Sequence, residues 1–371
     1  MAEIFTAKDH AYMSEALQLA ELGLYTTDPN PRVGCVIVRD DRIVGRGFHR
    51  KAGEAHAEVN ALEAAGAQAC GATAYVTLEP CVHFGRTPPC ADALIKAGVA
   101  RVIAAMQDPN PKVAGKGFEK LLAAGIETAH GLMEIEASKI NPGFISRMRR
   151  GRPWLRSKLA VSLDGRTALA DGTSKWITGE AARQDVQRWR ARSSAILTGI
   201  GTVLNDDPSL TVRLGGERNL RQPLRVVMDS HLRTPVTAKL LQGDGMVYIA
   251  TIDTEPARHK LIEDAGAALI ELPSVGGQVD LVALMQHLTI LECNEVLVEA
   301  GATLNGALLR AGLLDEFVIY MAPCVLGDTA RGMFHLPPFE NLGQRLDLQL
   351  TDLRMLGRDL RILAAPKLQA S

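Results

Sequence analysis

A histidine, a glutamate and two cysteines occur in an order suited to metal-assisted hydrolysis. They lie in Gly53-Glu54-Ala55-His56-Ala57-Glu58, in Thr77-Leu78-Glu79-Pro80-Cys81 and in Pro88-Pro89-Cys90. A structural zinc is normally closed by four protein ligands, whereas a catalytic zinc keeps three and leaves the fourth position to water. His56, Cys81 and Cys90 make three. Glu58 is then the proton carrier, because zinc deaminases combine a His/Cys/Cys site with a non-ligating glutamate in an H-x-E then P-C pattern. An ion held this way lowers the pKa of a bound water, which attacks the ring carbon bearing the amino group.

The elements around these residues place each of them at an end. His56 and Glu58 open a helix that continues through Val59, Leu62 and Ala65 and stops at Gly66. Residues two apart on a helix point roughly 200° apart, which fits a ligand and a base better than two ligands. Ala74 to Leu78 reads as a buried strand that delivers Cys81, and Cys90 follows Pro88-Pro89 at the start of a helix, where the dipole favours its thiolate. Upstream, Thr6-Ala7-Lys8-Asp9 starts a scaffold helix, and Val33 to Val38 with Ile43 to Gly45 predicts a hairpin. A strand over Arg101 to Ala105, a helix over Phe118 to Ala124 and a strand at Gly125 to Glu127 complete an alternation that predicts a three-layer α/β domain closing near Ile145.

Arg147-Met148-Arg149-Arg150-Gly151-Arg152-Pro153 reads as a solvated basic linker, and the domains are set at 1–149 and 150–371. Beyond it, strands are predicted at Trp154–Ala160, Ser194–Thr198, Leu224–Asp229, Val247–Ala250, Ala268–Ile270 and Glu295–Glu299, with helices at Glu180–Arg192 and Leu281–Leu288. Gly301 to Gly306 follows a strand and opens a helix over Ala307 to Ala311, so its backbone N–H groups suit a phosphate. Gly199-Ile200-Gly201-Thr202 is a second such turn, but no third glycine completes a dinucleotide fingerprint there.

The composition narrows the partners. With 371 residues, 47% hydrophobic and 22% charged, the chain has the length for two cores. A net charge of −1 lacks the basic surplus of nonspecific nucleic-acid binders, which favours a small phosphorylated ligand met by a few local Arg or Lys side chains. No run approaches a membrane span, and six irregularly spaced cysteines (Cys35, Cys70, Cys81, Cys90, Cys293, Cys324) predict reduced thiols in the cytosol.

Eight residues separate Cys81 from Cys90, where the commoner deaminase pattern has two. With Gly85-Arg86-Thr87-Pro88-Pro89-Cys90 and Asp108-Pro109-Asn110-Pro111, this resembles the bifunctional riboflavin-biosynthesis deaminase/reductases, the RibD family. In the second half, Ser162-Leu163-Asp164-Gly165-Arg166, Ser174-Lys175-Trp176-Ile177-Thr178, Asp206-Asp207-Pro208-Ser209-Leu210-Thr211 and Glu299 to Leu304 look like the reductase portion of that family. The resemblance implies a cytidine-deaminase-like α/β/α domain followed by a dihydrofolate-reductase-like α/β domain, with Zn2+ and NADPH as cofactors. It implies deamination of 2,5-diamino-6-ribosylamino-4(3H)-pyrimidinone 5′-phosphate, then reduction of the ribosyl chain of the product to ribityl. Asn30 and His49 match ring contacts and Arg86 a phosphate contact. Ala160, Trp176, Thr202, Asp206, Ser230 and Gly301, Ala302, Thr303, Leu304, Asn305 and Gly306 match the NADPH site. Ser174, Arg190, Leu210, Arg213 and Glu299 match the reductase substrate site, with Arg190 and Arg213 as phosphate clamps and Lys158 as a candidate for polarising the imine. The expected partner is a small phosphorylated pyrimidine, with no nucleic acid and no membrane, in a homo-oligomer, a dimer or tetramer.

Two other readings are distinguishable. A nucleic-acid-editing deaminase with a C-terminal binding module predicts a basic surface and a Cys-x-x-Cys pair, and neither is in the sequence. A structural zinc module needs a fourth ligand, for which His83 is the nearby candidate.

Overall fold

Three glycines set the layers of the first half of the chain in a computed structural model that describes residues 5–84, 88–214 and 220–367. Helix α1 (Ala7–Glu21) starts with a reciprocal capping box between Thr6 and Asp9 and lies on strand β1 (Gly34–Arg39). A Cβ at Gly34 would stand 1.9 Å from the Ala16 carbonyl oxygen, so only glycine permits this approach. Strand β2 (Arg42–Phe48) pairs antiparallel with β1, and helix α2 (Ala57–Ala65) crosses its opposite face. There, Cβ atoms at Gly45 and Gly47 would come within 2.2 and 2.3 Å of the Ala61 and Ala57 carbonyl oxygens. Gly34 is paired with Phe48, whereas Gly45 and Gly47 oppose Ile37 and Cys35. The two helices therefore cover opposite faces of one sheet, and three layers follow.

The unit continues with β3 (Thr73–Val76), α3 (Cys90–Ala97), β4 (Arg101–Ala104), α4 (Lys116–Ala123), β5 (Glu127–His130), α5 (Glu134–Ile140) and α6 (Pro142–Arg150). Its sheet runs β2-β1-β3-β4-β5, with β3, β4 and β5 parallel. Met13, Val36, Ile37, Leu94, Ile103 and Leu121 fill the core. Two expectations are corrected. The last strand begins at Glu127, because Gly125 takes φ +82 in the turn before it. The basic segment from Arg147 is not a solvated linker up to Arg150. Pro142 starts α6, Phe144 and Ser146 are buried, and the Arg150 guanidinium donates to Ser146 Oγ, so this stretch packs as helix.

Contacts separate this unit, Met1–Arg152, from a second, Pro153–Ser371. The second contains β6 (Trp154–Ser162), β7 (Arg166–Ala168), α7 (Glu180–Arg192), β8 (Ala195–Gly199), α8 (Ile200–Asp206), β9 (Leu224–Met228), β10 (Val247–Thr251), α9 (Pro256–Asp264) and β11 (Ala268–Glu271). A small hairpin of β12 (Ser274–Val275) and β13 (Gln278–Val279) precedes α10 (Leu281–Ile290), β14 (Glu295–Val298), α11 (Ala302–Arg310), β15 (Glu316–Ala322), β16 (Arg331–Gly332), β17 (Leu348–Leu356) and β18 (Asp359–Pro366). The large sheet runs β11-β10-β9-β8-β14-β6-β15-β18-β17, parallel through β15 and antiparallel across β18 and β17. Its middle strand, β14, is buried at every residue, as expected when both faces of a parallel sheet are covered.

The strands β15, β17 and β18 were not anticipated from the sequence. Helix α11 starts at Ala302 with Gly301 as N-cap, so the segment read as a Gly301–Gly306 turn is the first half of a helix. Gly306 is accommodated inside it because the His335 backbone packs there, 2.2 Å from where a Cβ would be. Among the described residues, no helix is long and apolar enough to cross a membrane.

Candidate functional site

The first site lies at the carboxyl ends of the parallel strands and the amino ends of two helices. His56 is the N-cap of α2 and makes no capping bond with its side chain, which leaves the ring turned toward the cysteines. Cys81 follows the end of β3, and Cys90 is the first residue of α3. His56 Nδ1 lies 3.2 Å from Cys90 Sγ and 3.6 Å from Cys81 Sγ, and Cys81 Sγ accepts the Cys90 backbone N–H at 3.3 Å. The three donor atoms fall within 4.8 Å of one another, and no other cluster of this kind occurs among the described residues. One imidazole nitrogen and two sulfurs form a donor set proper to zinc. His83 is exposed and outside the cluster, so the closed four-ligand arrangement gains no support.

Without a metal the two sulfurs compete for one proton. The hydrogen bond from Cys90, helped by His56, holds Cys81 down to about 4. The same bond, with burial, pushes the Cys90 thiol well up. As metal ligands both Cys81 and Cys90 would be thiolates, the ligating form.

Glu58 sits in the first turn of α2, 3% exposed. Burial and the Cys81 charge raise its carboxyl to about 7. A carboxyl so placed can take and return a proton near neutrality.

His49 lies edge-on to His56, with ring centroids 5.1 Å apart. Burial lowers its pKa and keeps the ring neutral. Nδ1 meets the Ala55 carbonyl at 3.1 Å and must carry the hydrogen, so Nε2 accepts from the Asn30 amide at 3.1 Å. Asn30 and His49 thus form one polar pair beside the cluster. Arg86 lies outside the described residues. The sequence reading assigned no role to Glu79 or Asp108, both buried close behind Cys81. Burial, with the charges of Glu79 and Cys81, lifts Asp108 to about 7.

The second site is a cavity of ≈ 2530 Å³ at the carboxyl ends of β6, β8, β9 and β14. Drug-sized pockets span roughly 300–1,000 Å³, so this one has room for a dinucleotide and a second molecule. Ala160, Trp176, Thr202, Asp206, Ser230, Gly301, Ala302, Thr303 and Leu304 all line it, as do Ser174, Arg190, Leu210, Arg213, Glu299 and Lys158. Asn305 and Gly306 do not. Asn305 is fully buried, where it accepts from Ser157 Oγ at 2.8 Å and donates to the Ala300 carbonyl at 2.7 Å.

The two arginines expected as clamps differ. Arg190 is buried and grips Glu299 with two bonds, Nε to Oε1 at 2.6 Å and Nη2 to Oε2 at 2.9 Å, and donates to the Thr211 carbonyl. Its charge is therefore already balanced. Arg213 is exposed, and its backbone N–H is held by Gln187. Lys158 is depressed by burial, against the pull of Glu299. Arg183, which the sequence reading did not select, stacks 4.7 Å from the Trp176 ring centroid and donates to the Thr178 carbonyl at 2.7 Å. Arg183 stands seven positions after Trp176 in no recognised motif, so no sequence signal marked it.

Comparison with known proteins follows the same division. Residues 6–106 match the cytidine and deoxycytidylate deaminase zinc-binding region, and residues 153–362 match the RibD C-terminal domain. The riboflavin biosynthesis protein RibD of Escherichia coli is 52% identical over 363 residues, covering 95% of this chain and 98% of that protein. That of Haemophilus influenzae is 50% identical over 98% of this chain and 99% of its own length. Among solved structures, Acinetobacter baumannii RibD superposes with a TM-score of 0.91 at 49% identity, covering 97% of this chain and 99% of the other. A diaminohydroxyphosphoribosylaminopyrimidine deaminase/5-amino-6-(5-phosphoribosylamino)uracil reductase from Thermotoga maritima does so at 0.84 with 31% identity and the same coverage.

Proposed function

The chain belongs to the RibD family of riboflavin-biosynthesis proteins, and from that membership we propose which of its residues carry each activity. It is a bifunctional enzyme, a zinc-dependent pyrimidine deaminase joined to an NADPH-dependent reductase. The deaminase acts on 2,5-diamino-6-ribosylamino-4(3H)-pyrimidinone 5′-phosphate. The reductase converts 5-amino-6-(5-phosphoribosylamino)uracil to the ribitylamino product.

The observation that carries the assignment is the convergence of His56 Nδ1, Cys81 Sγ and Cys90 Sγ next to a buried Glu58. These three atoms hold zinc, which when bound supplies a Lewis acid that lowers the pKa of water. Glu58 carries one proton of the attacking water to the ring nitrogen and then the proton of the added hydroxyl to the departing amine, which leaves as ammonia. The neutral His49 and its partner Asn30 hold the pyrimidine, and Arg86 meets its phosphate.

In the second unit, Ala160, Trp176, Thr202, Asp206, Ser230 and the amino end of α11, which line the cavity, would hold NADPH, which supplies the hydride when bound. The free backbone N–H groups of that end suit a phosphate, and α11 is long enough to carry a dipole. Asn305 and Gly306 act from behind, by tying Ser157 to Ala300 and by admitting the His335 backbone. Ser174, Leu210, Arg213 and the Arg190–Glu299 pair receive the substrate, with the exposed Arg213 as phosphate partner. Lys158 polarises the imine nitrogen of the opened sugar.

Two further readings belong here. Among the described residues no two of the six cysteines are joined in a disulfide, and we read their thiols as reduced, in a cytosolic redox environment. Strand β17 is an edge strand exposing Leu350, Leu353 and Met355 by more than half, which supports a homo-oligomer that covers it. Light scattering that gives a monomer mass at micromolar concentration removes the oligomer reading. For the reaction, the pure protein is given the diaminopyrimidinone ribotide with and without NADPH while ammonia and cofactor absorbance are followed. Ammonia appears without NADPH, and NADPH is consumed only after deamination; NADPH loss with no ammonia overturns the order.

A further inference from the structure

Cys81 lies on an irregular segment, and a metal ligand there needs something to hold it. The residue two before it does not point toward solvent or toward the sulfurs. Glu79 is 3% exposed, and its carboxylate accepts three backbone N–H groups. Oε2 receives those of Asp108 at 3.1 Å and Gly115 at 2.9 Å, and Oε1 receives that of Gly117 at 2.8 Å. Gly115 is the N-cap of α4 and Gly117 lies in its first turn, so the negative charge sits at the positive end of that helix. The Glu79 N–H in turn donates to the Met106 carbonyl at 3.0 Å.

The next residue is equally confined. A Cβ on Gly117 would meet the Pro80 carbonyl oxygen at 2.3 Å and Glu79 Oε1 at 2.9 Å. Helix α4 therefore touches the backbone immediately before Cys81. On the other side, the Cys81 carbonyl accepts from the Ala91 N–H at 3.2 Å, and its sulfur accepts from the Cys90 N–H. Cys81 is thus fixed between α4 and α3.

We propose that Glu79 is a positioning residue of the deaminase: by anchoring the Glu79-Pro80-Cys81 turn to the amino end of α4, it presents Cys81 Sγ to His56 Nδ1 in ligating geometry. A carboxyl group has acceptor lone pairs on both oxygens and so meets all three donors, two at Oε2 and one at Oε1. In Glu79→Gln, the amide oxygen can occupy the Oε2 place and keep two bonds. Its NH2 then faces the Gly117 N–H, donor against donor, and the turn must move. Partners that orient a ligand are worth about 10–100-fold in metal affinity.

This inference rests on zinc being held by His56, Cys81 and Cys90, and the experiment separates the two. Full-length wild type, Glu79→Gln and Gly117→Ala are loaded with zinc, and transfer to a coloured chelator is timed at 10 °C. Parallel samples carry cobalt, whose thiolate charge-transfer band reports the sulfur ligands. Glu79→Gln releases zinc at least about tenfold faster and shows a weakened band. Gly117→Ala, which crowds the Pro80 carbonyl and the Glu79 side chain while leaving the carboxylate's chemistry unchanged, does the same. Wild type that binds no stoichiometric zinc removes the underlying metal reading. Wild type that binds it while Glu79→Gln melts earlier with unchanged release and band leaves Glu79 a purely structural residue, and the proposal falls. Should Glu79→Gln not fold, Gly117→Ala decides alone, and a wild-type release rate in that variant overturns the proposal.

Discussion

Replacing Glu58 by glutamine alters one proton and almost no volume, so its consequences can be worked out for both catalysis and stability. The side chain is 3% exposed in the first turn of α2, and its carboxyl is raised from 4.5 to about 7, by burial first and the Cys81 charge second. Glutamine keeps the shape but cannot carry a proton between water, ring and leaving group. Loss of a general acid–base removes about 10²- to 10⁴-fold, which is about 3–5 kcal/mol of barrier. Ammonia release should fall by that factor while zinc remains stoichiometric and NADPH oxidation with deaminated substrate is unchanged.

The stability effect has the opposite sign. A carboxyl whose folded pKa lies above its unfolded value opposes folding once the unfolded chain ionises, beginning above pH 4.5 and reaching full size above pH 7. The rise from 4.5 to about 7 corresponds to about 3 kcal/mol in the metal-free protein. Metal-free Glu58→Gln should therefore be more stable than metal-free wild type at pH 8, by roughly 5–10 °C in melting midpoint. At pH 4 the two should melt together. Calorimetry at both pH values checks this. Ammonia release within tenfold of wild type refutes the proton-carrier role, and coincident melting at pH 8 refutes the account of its burial.

Cys90→Ser should lower bound zinc measured by plasma emission, and a full equivalent of metal in that variant refutes its ligation. Arg190→Met leaves the Glu299 carboxylate in the cavity without its guanidinium; losing one partner of a buried pair costs about 3–5 kcal/mol, so reductase turnover should collapse while ammonia release from the same chain persists. Equal loss of both activities shows a global defect instead. The fragment from Gly151 to Ser371 contains every lining residue of the large cavity, and it should oxidise NADPH when given deaminated substrate. An inert but folded fragment refutes the separation of the two activities.

The legible parts of this protein were those written in short stretches. The His56/Glu58 pair, the Pro-Cys strand end and the proline-led helix start are each encoded within a few residues, because caps and strand ends are local structures. Helix α7 falls at Glu180–Arg192 as its spacing predicts. The basic residues from Arg147 misled because charge alone reads as solvation, whereas Phe144 and Ser146 on the same helix are buried. The Gly301–Gly306 segment misled because glycine reads as turn, and only His335, nearly thirty residues on, explains a glycine inside α11.

Residue type and spacing alone singled out the His56, Cys81 and Cys90 donors, which the structure brings within 4.8 Å of one another, and the buried Glu58 carboxyl, since donor chemistry belongs to the side chains themselves. Tertiary structure decided which long-range partners complete the site. The pairing of Arg190 with Glu299 spans 109 positions, and the grip of Glu79 on Asp108, Gly115 and Gly117 spans 29 to 38. Such contacts depend on which strand ends and helix ends the sheet order brings together, and no local pattern carries that information.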